Sequence, residues 1–465
     1  MRLKFLGATQ NVTGSRFLLE NENHRILIDC GLFQERALRF RNWEDFPVSP
    51  SSIDAVILTH AHLDHCGYLP KFVKEGFKGN IFCTPPTMEI AQIALLDSAK
   101  LQEEDAIFKK KRHQREGRKG PYPEIPLYTI EETQKVFPHF VTLPYHKEFQ
   151  ITPDIKVTFY DAGHILGAGI VVVRLREGTK KKTVVFSGDI GRWGKPILCD
   201  PATSLEADYV VMESTYGNRI HEEQHVSEEK LQRVIVETQK RGGNVLIPTF
   251  AIERAQELLY YLSKLLRENK IPHLLIFVDS PMAIDVTEVF RKYVDYFDKE
   301  TKTLLKTGNS PFDFPLLKLT RSTGESKAIN YIRGTSVIMA GSGMCTGGRI
   351  KHHLRNNITR PESTILFVGY QAKGTLGREI LEKKEKVRIH GEFYPVQAKI
   401  EKINGFSAHA DKNELLRWIS SFRRTPGKIF VVHGEEEAST EFAHFLKTKS
   451  QSDIIVPEYL QEISL

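Results

Sequence analysis

No run of apolar residues in the chain is long enough to cross a bilayer, which argues against a membrane-spanning protein. The opening residues, Met1-Arg-Leu-Lys-Phe-Leu-Gly, lack the apolar stretch of a secretory signal and read as a first strand. Cysteine is scarce: Cys30, Cys66, Cys83, Cys199 and Cys345 are odd in number, scattered and never spaced as CxxC. That argues against a disulfide frame and against a cysteine zinc site, and a reducing, cytoplasmic location is expected. Internal repeats, low-complexity tracts and Gly/Ser linkers are also missing. What is present is the composition of a globular protein, 465 residues with 40% hydrophobic and 26% charged, enough for two domains with large cores. A net charge of +7 mildly favours an anionic partner. The charge is uneven. Lys109 to Lys119 reads KKKRHQREGRK and Lys180 to Lys182 forms a second cluster, although charge runs are most often solvated helix ends.

The first half reads as short strands joined by turns, at Arg2–Phe5, Arg16–Leu19, Arg25–Ile28, Ala55–Leu58 and Ile81–Cys83, with helical patterns at Tyr68–Lys74 and Met88–Phe108. Strands are expected again at Ile170–Leu175, Thr183–Phe186 and Tyr209–Met212. From about Tyr216 helices and strands alternate: helix Ser227–Lys240, strand Asn244–Ile247, helix Ile252–Leu266, strand Leu274–Val278, helix Ala283–Phe297, strands Ser336–Ala340 and Thr364–Val368. Such alternation implies βαβ units on a parallel sheet, hence a separate α/β domain. Thr301 to Asn330 shows no clear periodicity and reads as a long loop. After Val387 the chain is strand-rich, with helix Asn413–Phe422, strand Lys428–Val432 and a final helix.

The strand Ile57-Leu58-Thr59 runs directly into His60-Ala61-His62-Leu63-Asp64-His65. A lone histidine is usually a satisfied surface or core residue. Three imidazoles and a carboxylate within six positions, at the end of an apolar strand, are a metal-binding constellation, and neutral imidazole with carboxylate suits zinc.

The HxHxDH pattern resembles the signature of the metallo-β-lactamase superfamily, and the rest of the chain follows that family's order. Leu27-Ile28-Asp29-Cys30-Gly31 resembles its first motif, Gly163-His164-Ile165-Leu166-Gly167 its third and Ser187-Gly188-Asp189 its fourth. The resemblance implies an α/β protein built as an αββα sandwich. It implies two Zn2+ per chain: His60, His62 and His164 on one, Asp64, His65 and His433 on the other, Asp189 bridging, and Asp29 supporting from behind. His62, where oxygen-reducing di-iron relatives place a carboxylate, favours zinc and hydrolysis. Two such metals clamp both oxygens of an in-line displacement.

His433, in Val431-Val432-His433-Gly434-Glu435, lies 244 positions after Asp189 (433 minus 189), and the α/β block fills the gap. This arrangement resembles the β-CASP branch, in which a parallel-sheet α/β domain is inserted into the metallo-β-lactamase fold and roofs the site. The resemblance covers essentially the whole chain, and is nearest to bacterial and archaeal relatives of the nuclease subunit of the cleavage and polyadenylation machinery. It implies domains at 1–215, 216–386 (the insertion) and 387–465. Glu213 in Glu213-Ser-Thr-Tyr-Gly matches motif A, His409 in Phe406-Ser-Ala-His409-Ala-Asp matches motif B, and His433 matches motif C. Pro248-Thr-Phe-Ala251, with Arg254 and Gln256-Glu-Leu258, also looks like that group. Archaeal members carry KH domains before the first strand, where this chain begins at the strand itself, so recognition through such a domain is not expected.

A cut phosphodiester needs its leaving oxygen protonated, and a histidine oriented by a carboxylate suits the task; His409 with Glu213 is the candidate pair. Catalytic roles are therefore expected for His409, Glu213, Asp64 and Asp29. The Gly341-Ser342-Gly343 loop, running to Gly348 and Arg349, is expected to offer backbone N–H groups to a phosphate, with His352 or His353 joining it. Gly374 to Arg378 is a weaker candidate of the same kind, and Ser407 is a third. A tight turn is the bland alternative for both loops. The expected partner is single-stranded RNA, cut internally and trimmed from the 5′ end, with no membrane and with a second copy of the chain as a further candidate. The rivals are a small-molecule hydrolase, an inactive scaffold subunit and a DNA nuclease. In the resemblance, a histidine at motif C marks the RNA-acting groups.

Overall fold

The computed structural model describes residues 1–465, which fall into two compact units. The first comprises Met1–Trp193, Asp200–Ile220 and His409–Leu465; the second comprises Gly194–Cys199 and His221–Ala408.

The first unit holds two seven-stranded sheets. One runs in the order Glu462–Ser464, Arg2–Phe5, Phe17–Glu20, Arg25–Ile28, Ala55–Ile57, Asn80–Cys83, Phe140–Thr142. The other runs Asp453–Ile455, Lys428–Val432, Tyr209–Glu213, Lys180–Phe186, Gly169–Glu177, Ile155–Asp161, Glu148–Thr152. Alternate residues of each sheet turn inward, as the two-residue period of a strand dictates. Leu3, Phe5, Ile26 and Ile28 from one meet Val171, Val173, Phe186, Phe430 and Val432 from the other in a shared core. The Phe5 and Phe430 rings lie 5.2 Å apart, and those of Phe17 and Phe186 6.1 Å. Burying such a side chain contributes about 1.5–3 kcal/mol.

The second unit is a parallel sheet in the order Leu317–Leu319, Leu275–Asp279, Ser336–Ala340, Val245–Pro248, Thr364–Val368, Lys399–Ile403. Its central strands are buried end to end, as expected when helices cover both faces. Two expectations are corrected here. The sequence reading ended the insertion at 386, but strand Lys399–Ile403 pairs with Thr364–Val368, so the unit continues to Ala408. That strand reads Lys-Ile-Glu-Lys-Ile, with three charges and no clean two-residue alternation, which gives no sign of which sheet it joins. The stretch Thr301–Asn330 is no long loop either: it contains most of helix Lys299–Lys306, strand Leu317–Leu319 and helix Thr323–Ala328. Elements of three to eight residues are too short for periodicity to emerge.

Candidate metal centre

Apart from His409, the motif residues of the first unit sit at or just beyond strand ends. Asp29 follows Arg25–Ile28, and His60 to His65 follow its parallel neighbour Ala55–Ile57. Glu213 closes its own strand, His433 follows the parallel strand Lys428–Val432, and Asp189 lies three residues beyond Phe186 on the other side. His164 follows Ile155–Asp161, which runs in the same direction two strands from Lys180–Phe186. A one-turn helix, Leu63–Cys66, curls Asp64 and His65 back toward these ends. It is packed closely: the Cys30 N–H donates to the His65 carbonyl at 2.7 Å, and a side chain at Gly31 would collide with the Asp64 carbonyl. Asp29 and His433 hold left-handed backbone, φ 59 and 50, a conformation that persists where the surroundings enforce it.

The donor atoms are arranged around Asp189. Its Oδ2 lies 3.2 Å from His60 Nε2 and 3.3 Å from His164 Nε2. Its Oδ1 lies 3.3 Å from His65 Nε2 and 3.6 Å from His433 Nε2. His62 Nδ1 completes the first set, 3.1 Å from His60 Nε2 and 3.2 Å from His164 Nε2. Asp64 completes the second: its Oδ2 is 3.6 Å from His433 Nε2, which stands 2.9 Å from His65 Nε2. A tetrahedral zinc with imidazoles at 2.0–2.1 Å sets nitrogen–nitrogen edges of about 3.3 Å, so both sets fit such an ion. Asp189 Oδ1 is buried and makes no hydrogen bond, which is what a carboxylate oxygen reserved for a cation would show.

In the first set the protonation states agree. Burial, with the neighbouring histidines, pulls His60 down to about 3, and burial pulls His62 down to about 4. Burial and His409 together lower His164 as well. These three rings are neutral at physiological pH, the form that ligates. For His65 the burial penalty is overcome by Asp189 and Asp29, which raise it. Asp189, despite burial, is lowered by His433, His65 and His60. Behind the donors stand groups that fix the rings. Asp29 Oδ2 takes the His65 Nδ1 side at 2.7 Å, and Thr59 Oγ1 lies 3.0 Å from His60 Nδ1 and within 3.0 Å of both Asp29 oxygens. Thr215 Oγ1 lies 3.0 Å from His433 Nδ1. Each contact leaves Nε2 facing the cluster. Thr59 and Thr215 escape sequence reasoning, because a lone hydroxyl beside a motif carries no signal of its own.

His409 stands beside the same cluster. Its Nδ1 is 3.2 Å from Glu213 Oε2, 3.3 Å from Glu213 Oε1 and 3.9 Å from Asp189 Oδ2, and its ring centre is 4.5 Å from that of His164. Glu213 is fully buried and held by the Ile190 N–H, while the Ala410 N–H donates to the Ile190 carbonyl at 2.7 Å. Burial works against the charged imidazole, yet Glu213 and Asp189 prevail and raise it to about 9.

The expected phosphate loops of the second unit look different. Ser342 Oγ accepts the N–H groups of Thr346 and Gly347, and the Ser342 and Ile350 N–H groups donate to the Gly347 and Gly341 carbonyls. Four N–H groups of the Gly341–Gly348 loop, those of Ser342, Cys345, Thr346 and Gly347, are thus met within the loop itself. At Gly343 a side chain would press on the ring of Phe250, which is partly exposed and would have to shift. Arg349 does not reach outward: its guanidinium donates to Asp279 Oδ1 at 2.7 Å and to the Thr320 and Arg321 carbonyls. His353 is buried on Asp279 Oδ2 at 2.6 Å, and the His352 ring lies against that of His390. Arg378 is turned to Glu382 on its own helix. Ser407 is buried and belongs to the second unit. Arg349 and His353 are thus held by the buried Asp279, whereas Arg378 and Glu382 form an exposed pair one helical turn apart.

Asp279 in particular is a buried anchor. Burial raises its pKa, but hydrogen bonds from His353, Ser326, Arg349 and Thr320 overcome this and hold it at about 2. Asp279→Asn is expected to lower unfolding free energy by about 3–5 kcal/mol at pH 7, since it leaves Arg349 without its counter-charge. The folded pKa lies below the unfolded one, so the carboxylate's contribution is complete above about pH 4 and fades toward pH 2. Urea titrations should show the gap between wild type and variant narrowing over that window.

Two facing sheets with histidine and aspartate donors at their strand ends define a metallo-hydrolase of the metallo-β-lactamase fold. Residues 18–190 match the metallo-beta-lactamase superfamily domain, residues 255–380 the Beta-Casp domain, and residues 394–457 the Zn-dependent metallo-hydrolase RNA specificity domain. Ribonuclease TTHA0252 of Thermus thermophilus is 37% identical, over 97% of each chain. Transcription termination factor FttA of Methanocaldococcus jannaschii is 32% identical, over 100% of this chain and 71% of its own. A solved structure, a protein of unknown function from Enterococcus faecalis, shares the fold with a TM-score of 0.54 at 13% identity, covering 100% of this chain and 99% of that one. The chain belongs to the β-CASP branch of the metallo-β-lactamase superfamily. No helix in it is long and apolar enough to cross a membrane.

Proposed function

We propose that the chain is a zinc-dependent ribonuclease that hydrolyses phosphodiester bonds of single-stranded RNA at a site for two ions. The observation that carries the reading is Asp189, whose two oxygens each face a different set of donors, with the His409–Glu213 pair alongside. His60, His62 and His164 would hold one zinc, Asp64, His65 and His433 the other, and Asp189 would bridge. Bound there, the ions supply Lewis acidity toward the scissile phosphate and activation of the attacking water. Asp29, Thr59 and Thr215 keep the ligating rings in the tautomer that faces the ions. His409, held by Glu213, gives its proton to the departing 3′ oxygen as the phosphorus–oxygen bond breaks. The choice of RNA is supported by the relatives, one named a ribonuclease, and by the match to an RNA specificity domain.

Attack by water in this geometry leaves a 5′-phosphate on one fragment and a 3′-hydroxyl on the other. The test uses a 3′-labelled single-stranded RNA, linear with a 5′-monophosphate or closed into a circle, with a matched DNA. Cutting of the circle, with 5′-phosphate and 3′-hydroxyl ends and little cutting of DNA, is the expected result. A ladder shortening from the 5′ end would add trimming to internal cutting. A 2′,3′-cyclic phosphate end would falsify the mechanism, and equal cutting of DNA would overturn the substrate assignment.

A further inference from the structure

The helix Pro85–Glu116 is 32 residues long, about 48 Å from end to end. Its start is tied to the metal site's own loop, for Thr84 and Thr87 hydroxyls both donate to the carbonyl of Gly167, three residues after His164. Its first half is largely buried. Its second half packs by one side only, through Ala106 and His113. That end is nonetheless fixed. His113 pairs with Glu124 at 2.6 Å, Tyr122 stacks on Trp43, and Gln102 and Glu103 accept the backbone N–H groups of Leu127 and Ile130.

The outward side carries two features that a solvated helix end does not need together. The first is charge. Between Lys109 and Lys119 stand seven cations and one carboxylate, Glu116, so this stretch supplies six of the chain's net seven positive charges. Asp105 engages Lys109 and Glu116 engages Arg118, while Lys110, Lys111, Arg115 and Lys119 make no ion pair. The second is apolar surface: Leu101 is 55%, Ile107 57% and Phe108 63% exposed. Phe108, Lys111, Arg112 and Arg115 are spaced i, i+3, i+4 and i+7 and share one face.

We propose that this end of the helix is a second contact surface for single-stranded RNA, outside the metal site. The inference rests on the ribonuclease reading. A single strand offers both complements of the surface, phosphates for the unpaired cations and base faces for an exposed ring among them. An acidic protein surface would match the charge but has no particular use for the ring. Since the surface lies most of a long helix away from the Gly167 loop, only a substrate longer than the cutting site can reach it.

The experiment compares wild type with a triple variant, Lys110→Gln, Lys111→Gln and Arg115→Gln, and with Phe108→Ala, using single-stranded RNAs of about 6 and about 30 nucleotides. These side chains are exposed and unpaired, so thermal unfolding should be unchanged. The triple variant should bind the long RNA about tenfold more weakly, with the slope of log Kd against log salt reduced by about 2. Phe108→Ala should weaken it at least about fivefold. Binding and cutting of the short RNA should stay at the wild-type level in both. Unchanged affinity and slope on the long RNA overturn the proposal and leave an acidic protein as the occupant. An equal loss on the short RNA also overturns it, because the surface would then not be separate from the cutting site. Wild-type protein that neither binds nor cuts either RNA would instead remove the ribonuclease reading itself.

Discussion

Asp189→Ala is expected to release metal from both halves of the site and to take RNA cleavage to background. The reason lies in how the carboxylate is shared. Oδ2 faces His60 and His164 while Oδ1 faces His65 and His433, so no single-site repair by a neighbouring water restores both. Removing it also removes the one negative group in contact with four of the imidazoles, so an ion in the first set would be left with neutral rings alone and one in the second with Asp64 as its sole carboxylate. The loss should exceed the roughly 10²–10³-fold that deletion of a single electrostatic donor costs an enzyme. Elemental analysis of purified protein under zinc-replete conditions is the measurement: about two ions per chain in wild type, fewer than one in the variant. Asp64→Ala should be milder in metal content, because Asp64 faces only the His433 side. An Asp189→Ala protein that keeps two ions and cuts RNA would end the bridging scheme.

How much of this could be read from the sequence follows from the kind of signal each residue carries. The metal donors were legible because five segments arrive in a fixed order, each at the end of an apolar strand. The histidine run after Ala55–Ile57 needs no partner to be recognised. His433 was reachable only through the family pattern, since 243 residues intervene (190 to 432) and no local rule joins it to His65. The two-sheet core was implied only by the family resemblance; local patterning showed single strands such as Arg2–Phe5, not which sheet each would join. The second unit's outer parts were not legible. Strand Lys399–Ile403 has the composition of an edge that could join either unit, and only pairing with Thr364–Val368 decides it. The internal engagement of Arg349 was not legible either. A sequence shows that cation beside a Gly-rich loop but hides the carboxylate that holds it, for Asp279 lies 70 residues before Arg349; the Arg378–Glu382 pair, by contrast, is plain from its i,i+4 spacing. Thr59 and Thr215 were invisible because positioning depends on a distance of 3.0 Å that no spacing encodes.

His409→Ala is expected to keep both ions and to bind RNA while turnover falls about 10²–10⁴-fold, the range for loss of a general acid. The geometry separates it from the donors. Its Nδ1 is directed at Glu213, and its closest approach to Asp189 is 3.9 Å, longer than any of the four imidazole contacts to that carboxylate. The imidazole is raised to about 9, so it is protonated at neutral pH and able to give a proton to a departing oxygen. Turnover should therefore fall as pH rises through about 9, where the acid form is lost. Glu213→Gln removes the largest contribution opposing burial, so the same fall should begin at lower pH, with a smaller loss at neutral pH than His409→Ala causes. That displacement of the profile is a readout that a merely structural role for Glu213 would not give. A leaving group that needs no proton supplies the complementary test. With an activated ester such as bis(p-nitrophenyl) phosphate, His409→Ala should lose far less activity than it loses on RNA. Should His409→Ala lose an ion, or be equally impaired on both substrates, the proton-donor role passes elsewhere and His409 becomes one more ligand of the cluster.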